Sequence, residues 1–330
     1  MNQEGKPVTW GLLSTARIND LVLAGARESD RAQFVAVGSR DRDRAEAYAR
    51  EHGIERAHGS YEALLQDPDV EAVYISLPNS MHVEWSVRAV EAGKHVLCEK
   101  PLDRRPVEVE RAFDAAKANE RLLMEGFMYA HSPQTAKLAE IVDSGRIGAL
   151  QVVRSAFSFP IHRHRDETDI RLRPEVDGGA LMDVGCYCVS GSRLLAGEPL
   201  HVYGEQVVGP TGVDVRFAGT MRFANDVLAQ FDCGFVLPDR DELEAIGTEG
   251  SLFLDDPWHC RTPVIELRAE GAVERIEVEF ADPYRLELEN LSAAIRGEAA
   301  PLLGREDAFG QACAIEALYS SADTGARVSL

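Results

Sequence analysis

Near-continuous apolar runs alternate with stretches of helical spacing through the first third of this chain of 330 residues. The runs are Val8 to Leu13, Phe34 to Gly38, Val70 to Leu77, His95 to Cys98 and Leu122 to Met124. Between them Ile18, Leu21, Val22 and Ala26 recur at helical spacing, Arg42 to His52 reads as a helix ended by Gly53, and Tyr61 to Leu65 as a short one. Met81 to Ala92 reads as a helix closed by Gly93, and Val107 to Asn119 as a further helix. Strands without polar alternation are buried on both faces, and strands that each lead into a helix pair in parallel. The pattern predicts a parallel sheet covered on both faces, with any ligand at the carboxyl ends of its strands.

Those ends carry the candidate chemistry. After the first strand, Gly11-x-x-Ser14-x-Ala16 stands where a glycine-rich phosphate turn belongs. Only the first glycine is present, but small residues here let the backbone approach a pyrophosphate at a helix N-terminus. Gly11, Ser14, Thr15 and Ala16 are therefore candidate cofactor contacts, although any strand–turn–helix could carry them. The second strand ends in Ser39-Arg40, a hydroxyl and a guanidinium fork that suit the 2′-phosphate of NADP. Asp41 follows, and an acid at this place would instead hold the ribose hydroxyls of NAD; Arg40 is otherwise a solvated loop charge. The third strand ends in Leu77-Pro78-Asn79-Ser80-Met81-His82, a turn signal that makes Leu77, Pro78, Asn79 and His82 candidate cofactor contacts. His82 has a competing reading as a surface or capping residue. The fourth ends in Glu99-Lys100-Pro101, where the proline restricts Lys100 to extended geometry and aims it at the strand-end crevice.

Beyond residue 124 the pattern changes, and the expected division is a dinucleotide-binding domain over 1–124 and a substrate-binding and oligomerisation domain over 125–330. Pro133 to Ser144 reads as a helix and Leu150 to Phe159 as a strand. Asp214 to Phe223 and Val227 to Phe235 read as an antiparallel pair, followed by strands at Leu243 to Ile246, Ser251 to Leu254, Val264 to Leu267 and Ala272 to Val278. This predicts a large, mostly antiparallel open sheet with helices on one face. The other face, if broadly apolar, calls for a partner copy, hence an expected homodimer or homotetramer. Pro283 to Arg296 and Arg305 to Ser321 read as amphipathic helices. The polar segment Pro160 to Asp177 is long enough to be functional, and Gly178-Gly179 opens a helix on which Asp183 and Tyr187, four apart, share a face.

Charge and cysteine usage exclude several classes. A formal net charge of -20 lacks the basic footprint of a nucleic-acid binder. No apolar run is long enough for a membrane span and no signal peptide is visible at the N-terminus, so a cytoplasmic protein is expected. The six cysteines read as reduced, mostly buried thiols; Cys186-x-Cys188 has no second pair at zinc-site spacing. His162 and His164 lack an evident third ligand, so they read as a solvated loop and no metal is expected.

The Gly11-to-Ala16 turn, Pro78 to His82, Glu99-Lys100-Pro101, Glu125 to Pro133 and Gly178 to Tyr187 together resemble the Gfo/Idh/MocA family across nearly the whole chain. The resemblance implies a Rossmann domain followed by an α/β domain, and hydride transfer between NAD(P) and a sugar, cyclitol or diol carbon. Many members carry histidine where this chain has Tyr187. The tyrosine resembles the branch of NADP-dependent D-xylose dehydrogenase, glucose–fructose oxidoreductase and dihydrodiol dehydrogenase. It implies Tyr187 as general acid/base, Lys100 as its electrostatic partner and hydroxyl donor, and Asp183 orienting the substrate or Lys100. Tyr129 and Arg171 are implied substrate contacts, and Glu99 and Lys100 cofactor contacts. A free tyrosine titrates near pH 10, and a nearby ammonium lowers that value. Trans-dihydrodiol dehydrogenase or keto-sugar reductase activity is the alternative, and a non-catalytic NAD(P)-binding sensor a further one.

Overall fold

The computed structural model describes residues 5–163 and 168–330. In chain order its first elements are β1 (Val8–Leu13), α1 (Asn19–Arg27), β2 (Ala32–Gly38), α2 (Arg42–His52), β3 (Arg56–His58), α3 (Tyr61–Leu65), β4 (Ala72–Ile75), α4 (His82–Glu91), β5 (His95–Glu99), α5 (Pro106–Ala118) and β6 (Leu123–Gly126). There follow α6 (Pro133–Asp143), β7 (Leu150–Ser158), α7 (Cys186–Ala196), β8 (His201–Val208), β9 (Asp214–Arg222), β10 (Leu228–Gly234) and β11 (Arg240–Gly247). The last are β12 (Ser251–Leu254), β13 (Val264–Ala269), β14 (Ala272–Glu277), α8 (Pro283–Ile295), α9 (Arg305–Thr324) and β15 (Val328–Ser329). The chain divides into two compact units: residues up to Met128 with Asp282–Phe309, and Tyr129–Ala281 with Gly310–Leu330.

The first unit holds a six-stranded sheet in the order β3-β2-β1-β4-β5-β6, with every neighbouring pair parallel. The order reverses between β1 and β4, the switch point at which such sheets bind ligands. Trp10, Leu12, Tyr74 and Leu97 are fully buried at its centre, as the unbroken apolar runs require. Leu288 and Leu291 of α8 belong to the same core, and Trp10 Nε1 donates to Ser292 Oγ at 3.3 Å. Gly25 makes the helix crossing possible, since a Cβ there would lie 2.7 Å from the Arg285 backbone nitrogen. Each buried leucine contributes about 1.5–3 kcal/mol, so α8 is part of this core and not an appendage to it. The first compact unit is thus discontinuous in sequence, with residues 282–309 returning to it.

The second unit holds a nine-stranded sheet in the order β14-β13-β12-β11-β7-β10-β9-β8-β15. The β7–β10 pair is parallel and the other pairs are antiparallel. Helix α7 lies against β7, β10 and β11. The opposite face is mixed: beside the apolar neighbours Leu228, Val152 and Ile246 it carries polar residues. Cross-strand partners there form a row, Tyr203, Thr220, Gln230, Arg154, Glu244, Phe253, Glu266 and Arg275. The row is half-buried to exposed and mixes charges of both signs, because period-two alternation delivers every second, polar residue to it.

Candidate active site

In the first unit, β1 turns out of the sheet at Ser14, whose φ of 139° lies where glycine is usual. Its hydroxyl stabilises the turn: Oγ donates to the Ser76 carbonyl at 3.0 Å and accepts from the Ala16 amide at 3.1 Å. Thr15 and Ala16 are half-buried, and no side chain caps the N-terminus of α1. A short turn of small residues ahead of a helix N-terminus without a side-chain cap fits a dinucleotide pyrophosphate. Gly11 packs inward, where a Cβ would meet Leu64 at 3.1 Å and Val70 at 3.2 Å; its part is to admit α3.

At the end of β2, Ser39 is buried and its Oγ accepts from the Asp41 amide at 3.3 Å. The Asp41 carboxylate caps α2 by accepting from the Arg44 amide at 3.0 Å. Arg40 is exposed and lies near enough to Tyr61 that its charge opposes the rise that burial gives the phenol's pKa. Arg44 reaches the same corner, with Nη2 3.5 Å from the Thr15 carbonyl.

The ends of β4 and β5 are tied together by His82. Its Nε2 lies 2.8 Å from the Leu77 carbonyl and its Nδ1 2.9 Å from the Pro101 carbonyl. The ring is buried; burial pushes its pKa down while the two carbonyls oppose that shift. With its two nitrogens beside protein carbonyls, His82 belongs to the frame that fixes the Lys100–Pro101 loop. Pro78 and Asn79 form the 3₁₀ turn between β4 and α4. Lys100 is half-buried just past β5. Glu99 accepts from the Tyr74 hydroxyl and is directed into the sheet's interior. Beside it lies Glu287 of α8, fully enclosed; burial first and Glu99 second push its carboxyl well above the usual carboxylate range.

In the second unit, Asp183 sits in a π-helical turn, Leu181–Gly185, which passes into α7. The regular α-helical stacking of Asp183 on Tyr187 is therefore replaced by a wider turn, a feature common at functional sites. Gly185 lets this turn press on β10, where a Cβ would lie 2.7 Å from Cys233 Sγ. Asp183 Oδ2 accepts from Arg171 Nε at 2.7 Å, and Arg171 is also held by Asp169. Asp183 first, then Asp169, raise the Arg171 pKa against the opposing effect of burial. Two residues expected to meet substrate separately thus form one ion pair.

Tyr187 is buried among rings: Phe157 at 5.4 Å, Tyr129 at 5.8 Å and Trp258 at 6.0 Å between centroids. Tyr129 spends its hydroxyl on Ser190 Oγ at 2.8 Å and acts as a wall behind Tyr187. Asp214, at the start of β9, holds the π turn from below: Oδ2 accepts from the Leu181 amide at 2.7 Å and Oδ1 from the Tyr319 hydroxyl at 2.8 Å. Burial raises its pKa from 3.8 to about 6, against those hydrogen bonds. Asp214 and Trp258 were not foreseen. The one signal for Asp214 was an acid at an apolar-flanked strand start, Val213-Asp214-Val215; Trp258 had none. His162 is exposed, and His164 lies outside the described residues.

A parallel sheet with a turn of small residues at its switch point is a dinucleotide-binding fold, and similarity to known proteins makes the chain an NAD(P)-dependent oxidoreductase acting on CH–OH groups. Residues 11–127 match the model of the oxidoreductase family with NAD-binding Rossmann fold, and residues 135–253 that of the GFO/IDH/MocA C-terminal domain. The chain belongs to the Gfo/Idh/MocA family. It is 38% identical over 325 residues to D-xylose 1-dehydrogenase (NADP(+)) 2 of Haloferax volcanii, covering 97% of this chain and 99% of that protein. The structure of aldose-aldose oxidoreductase from Caulobacter crescentus, complexed with glycerol, matches with TM-score 0.91 and 25% identity over 98% of this chain and 100% of that one. A 3-ketoreductase from Actinomadura kijaniata, solved with NADP and TDP-benzene, matches with TM-score 0.89 and 30% identity over 96% of this chain and 98% of that one. That ketoreductase has also been solved with a tyrosine replaced by phenylalanine and with a lysine replaced by alanine or glutamate. Among the described residues no helix is long and apolar enough to cross a membrane.

Proposed function

We propose that this protein is an NADP-dependent dehydrogenase of aldoses or related polyols. The observation that carries the proposal is Tyr187, enclosed by rings and following directly on the turn that fixes Asp183. Bound NADP supplies the hydride acceptor. Tyr187 takes the hydroxyl proton, and the Lys100 ammonium favours its phenolate and donates to the substrate hydroxyl. Asp183, paired with Arg171, orients substrate hydroxyls. In the reductive direction Tyr187 returns the proton, which is the alternative use as a keto-sugar reductase that the similar ketoreductase favours.

NADP is preferred because the acid that could bind ribose hydroxyls, Asp41, is engaged as the α2 cap, while Ser39, Arg40 and Arg44 gather at the strand end. We propose further that copies pair through the mixed-charge row on the open sheet, where Arg154 and Arg275 can meet Glu244 and Glu266 of a second copy; a monomer by light scattering at micromolar concentration would reject this pairing. The deciding experiment follows absorbance of the reduced nicotinamide with a panel of aldoses, cyclitols and diols and both cofactors. Turnover with NADP is expected, and Arg40→Ala weakens NADP roughly 10–100-fold with little effect on NAD. Absence of turnover across the panel rejects the dehydrogenase reading and leaves a cofactor-binding sensor.

A further inference from the structure

We propose that Phe157 and the His259–Asp241 pair, backed by the buried Trp258, form the subsite that binds substrate hydroxyls remote from the reacting carbon. This rests on the assignment of Tyr187 as the proton-transfer residue. Phe157 meets Tyr187 edge-on at 5.4 Å and His259 edge-on at 5.4 Å, so one ring bridges the two. Trp258 is 6.0 Å from Tyr187 and is pinned by its Nε1 bond to the Ala156 carbonyl at 3.2 Å. Asp241 lies directly across from Phe157, on the neighbouring strand β11. Its Oδ1 accepts from the Trp258 amide at 3.2 Å and its Oδ2 meets His259 Nδ1 at 2.5 Å. The carboxylate holds Nδ1, so that a ligand would meet Nε2, across the ring. His259 keeps 39% of its side chain exposed, while Asp241 keeps only 13%.

The cluster of Asp241, Asp256 and His259 also has the look of a cation site. That place is taken by Arg261, whose Nη2 is 3.4 Å from Asp256 Oδ1 and 3.3 Å from His259 Nδ1. Asp256 Oδ2 is occupied by the Arg261 and Thr262 amides at 2.6 and 2.9 Å. The guanidinium fixes the loop and leaves His259 for a neutral ligand. A partly exposed imidazole beside the edge of Phe157, with the enclosed Trp258 behind, suits a small polyhydroxylated ligand that places an O–H on the imidazole. Sites built around a substrate hydroxyl reject analogues that lack it.

The test uses the full-length, cofactor-loaded enzyme with D-xylose, myo-inositol and trans-1,2-cyclohexanediol as probes, measuring binding by calorimetric titration and turnover in parallel. His259→Phe, which keeps a flat ring, and Asp241→Asn are compared with wild type after circular dichroism confirms folding. Binding of the polyhydroxylated probe that wild type takes is expected to weaken about tenfold in both variants, with KM rising more than kcat falls, while the diol is unaffected. Unchanged sugar affinity, equal losses for sugar and diol, or no binding of any probe by wild type overturns the subsite. Loss of sugar binding in the variants of an enzyme that turns over nothing leaves the subsite standing and rejects the dehydrogenase assignment instead.

Discussion

Lys100 and Tyr187 are held in place by opposite strategies. Lys100 follows directly on a strand of the first sheet, and its loop is tied by backbone carbonyls through a histidine 18 residues earlier in sequence. Tyr187 stands on an irregular turn fixed by side chains brought from far along the chain: Asp214 beneath it, Arg171 on its carboxylate neighbour, and Phe157 and Trp258 around the ring. A strand end is positioned by the ladder it belongs to. A π turn has no such template, and its geometry depends on a buried carboxylate and on a glycine that lets it press on the sheet. The first arrangement should tolerate loss of a single tie better than the second.

The largest effect tests the chemistry that both arrangements serve. Tyr187→Phe and Lys100→Ala should each lower kcat by about 10²–10⁴-fold, with NADP affinity nearly unchanged in fluorescence titration; near-normal turnover in either variant would remove that residue from the mechanism. Next comes Asp214→Asn, which leaves the π turn without its carboxylate and should cost roughly 10–100-fold in kcat. It carries a pH signature as well. The Asp214 carboxyl titrates near 6 in the folded chain and 3.8 ordinarily, so between those values the folded state holds a proton that the unfolded state has lost. Stability must fall as pH rises through that window, by on the order of 3 kcal/mol, and the Asn variant should flatten that slope. Equal slopes in denaturant titrations at pH 4 and pH 7 would show that Asp214 is not so enclosed.

His82→Asn should cost about 1–3 kcal/mol in stability, with a smaller fall in kcat than Asp214→Asn produces. A larger fall would invert the comparison and make the strand-end loop the more fragile of the two. The smallest effect is a gain. Glu287 has its pKa raised by burial, so the folded state favours its protonated form and loses stability as pH rises above the ordinary value of 4.5. Glu287→Gln should therefore raise Tm at pH 8 by about 2–4 °C per kcal/mol relieved, with no gain near pH 4. Destabilisation at both pH values would mean that the carboxyl makes a bond that glutamine cannot replace.

The same contrast explains what could be read in the sequence. Five strands of the first sheet, the turn at Ser14 and the position of Lys100 follow from local periodicity and from punctuation by glycine and proline. β3 escaped because Arg56-Ala57-His58 has no apolar run, and β8 because Gly204, Glu205 and Gln206 interrupt its pattern. Arg171 and Asp183 were both singled out, yet their pairing joins a residue inside the Pro160 to Asp177 segment to one on the turn after it and has no sequence period. The wall around Tyr187 was illegible for the same reason: its rings come from β7, from the turn ahead of α6 and from the segment after β12. α8 showed its amphipathic face plainly, but an apolar stripe does not say which sheet it will cover.

That last feature bears on how the chain is made. The ribosome releases Trp10, Leu12 and the strands around them long before it has polymerised Leu288 and Leu291, which close the same core. Domains usually fold as they emerge, N-terminal first. Here the nascent cofactor-binding sheet must wait, with an apolar flank uncovered, until most of the chain has been synthesised. A fragment ended at residue 128 lacks that cover and should be aggregation-prone.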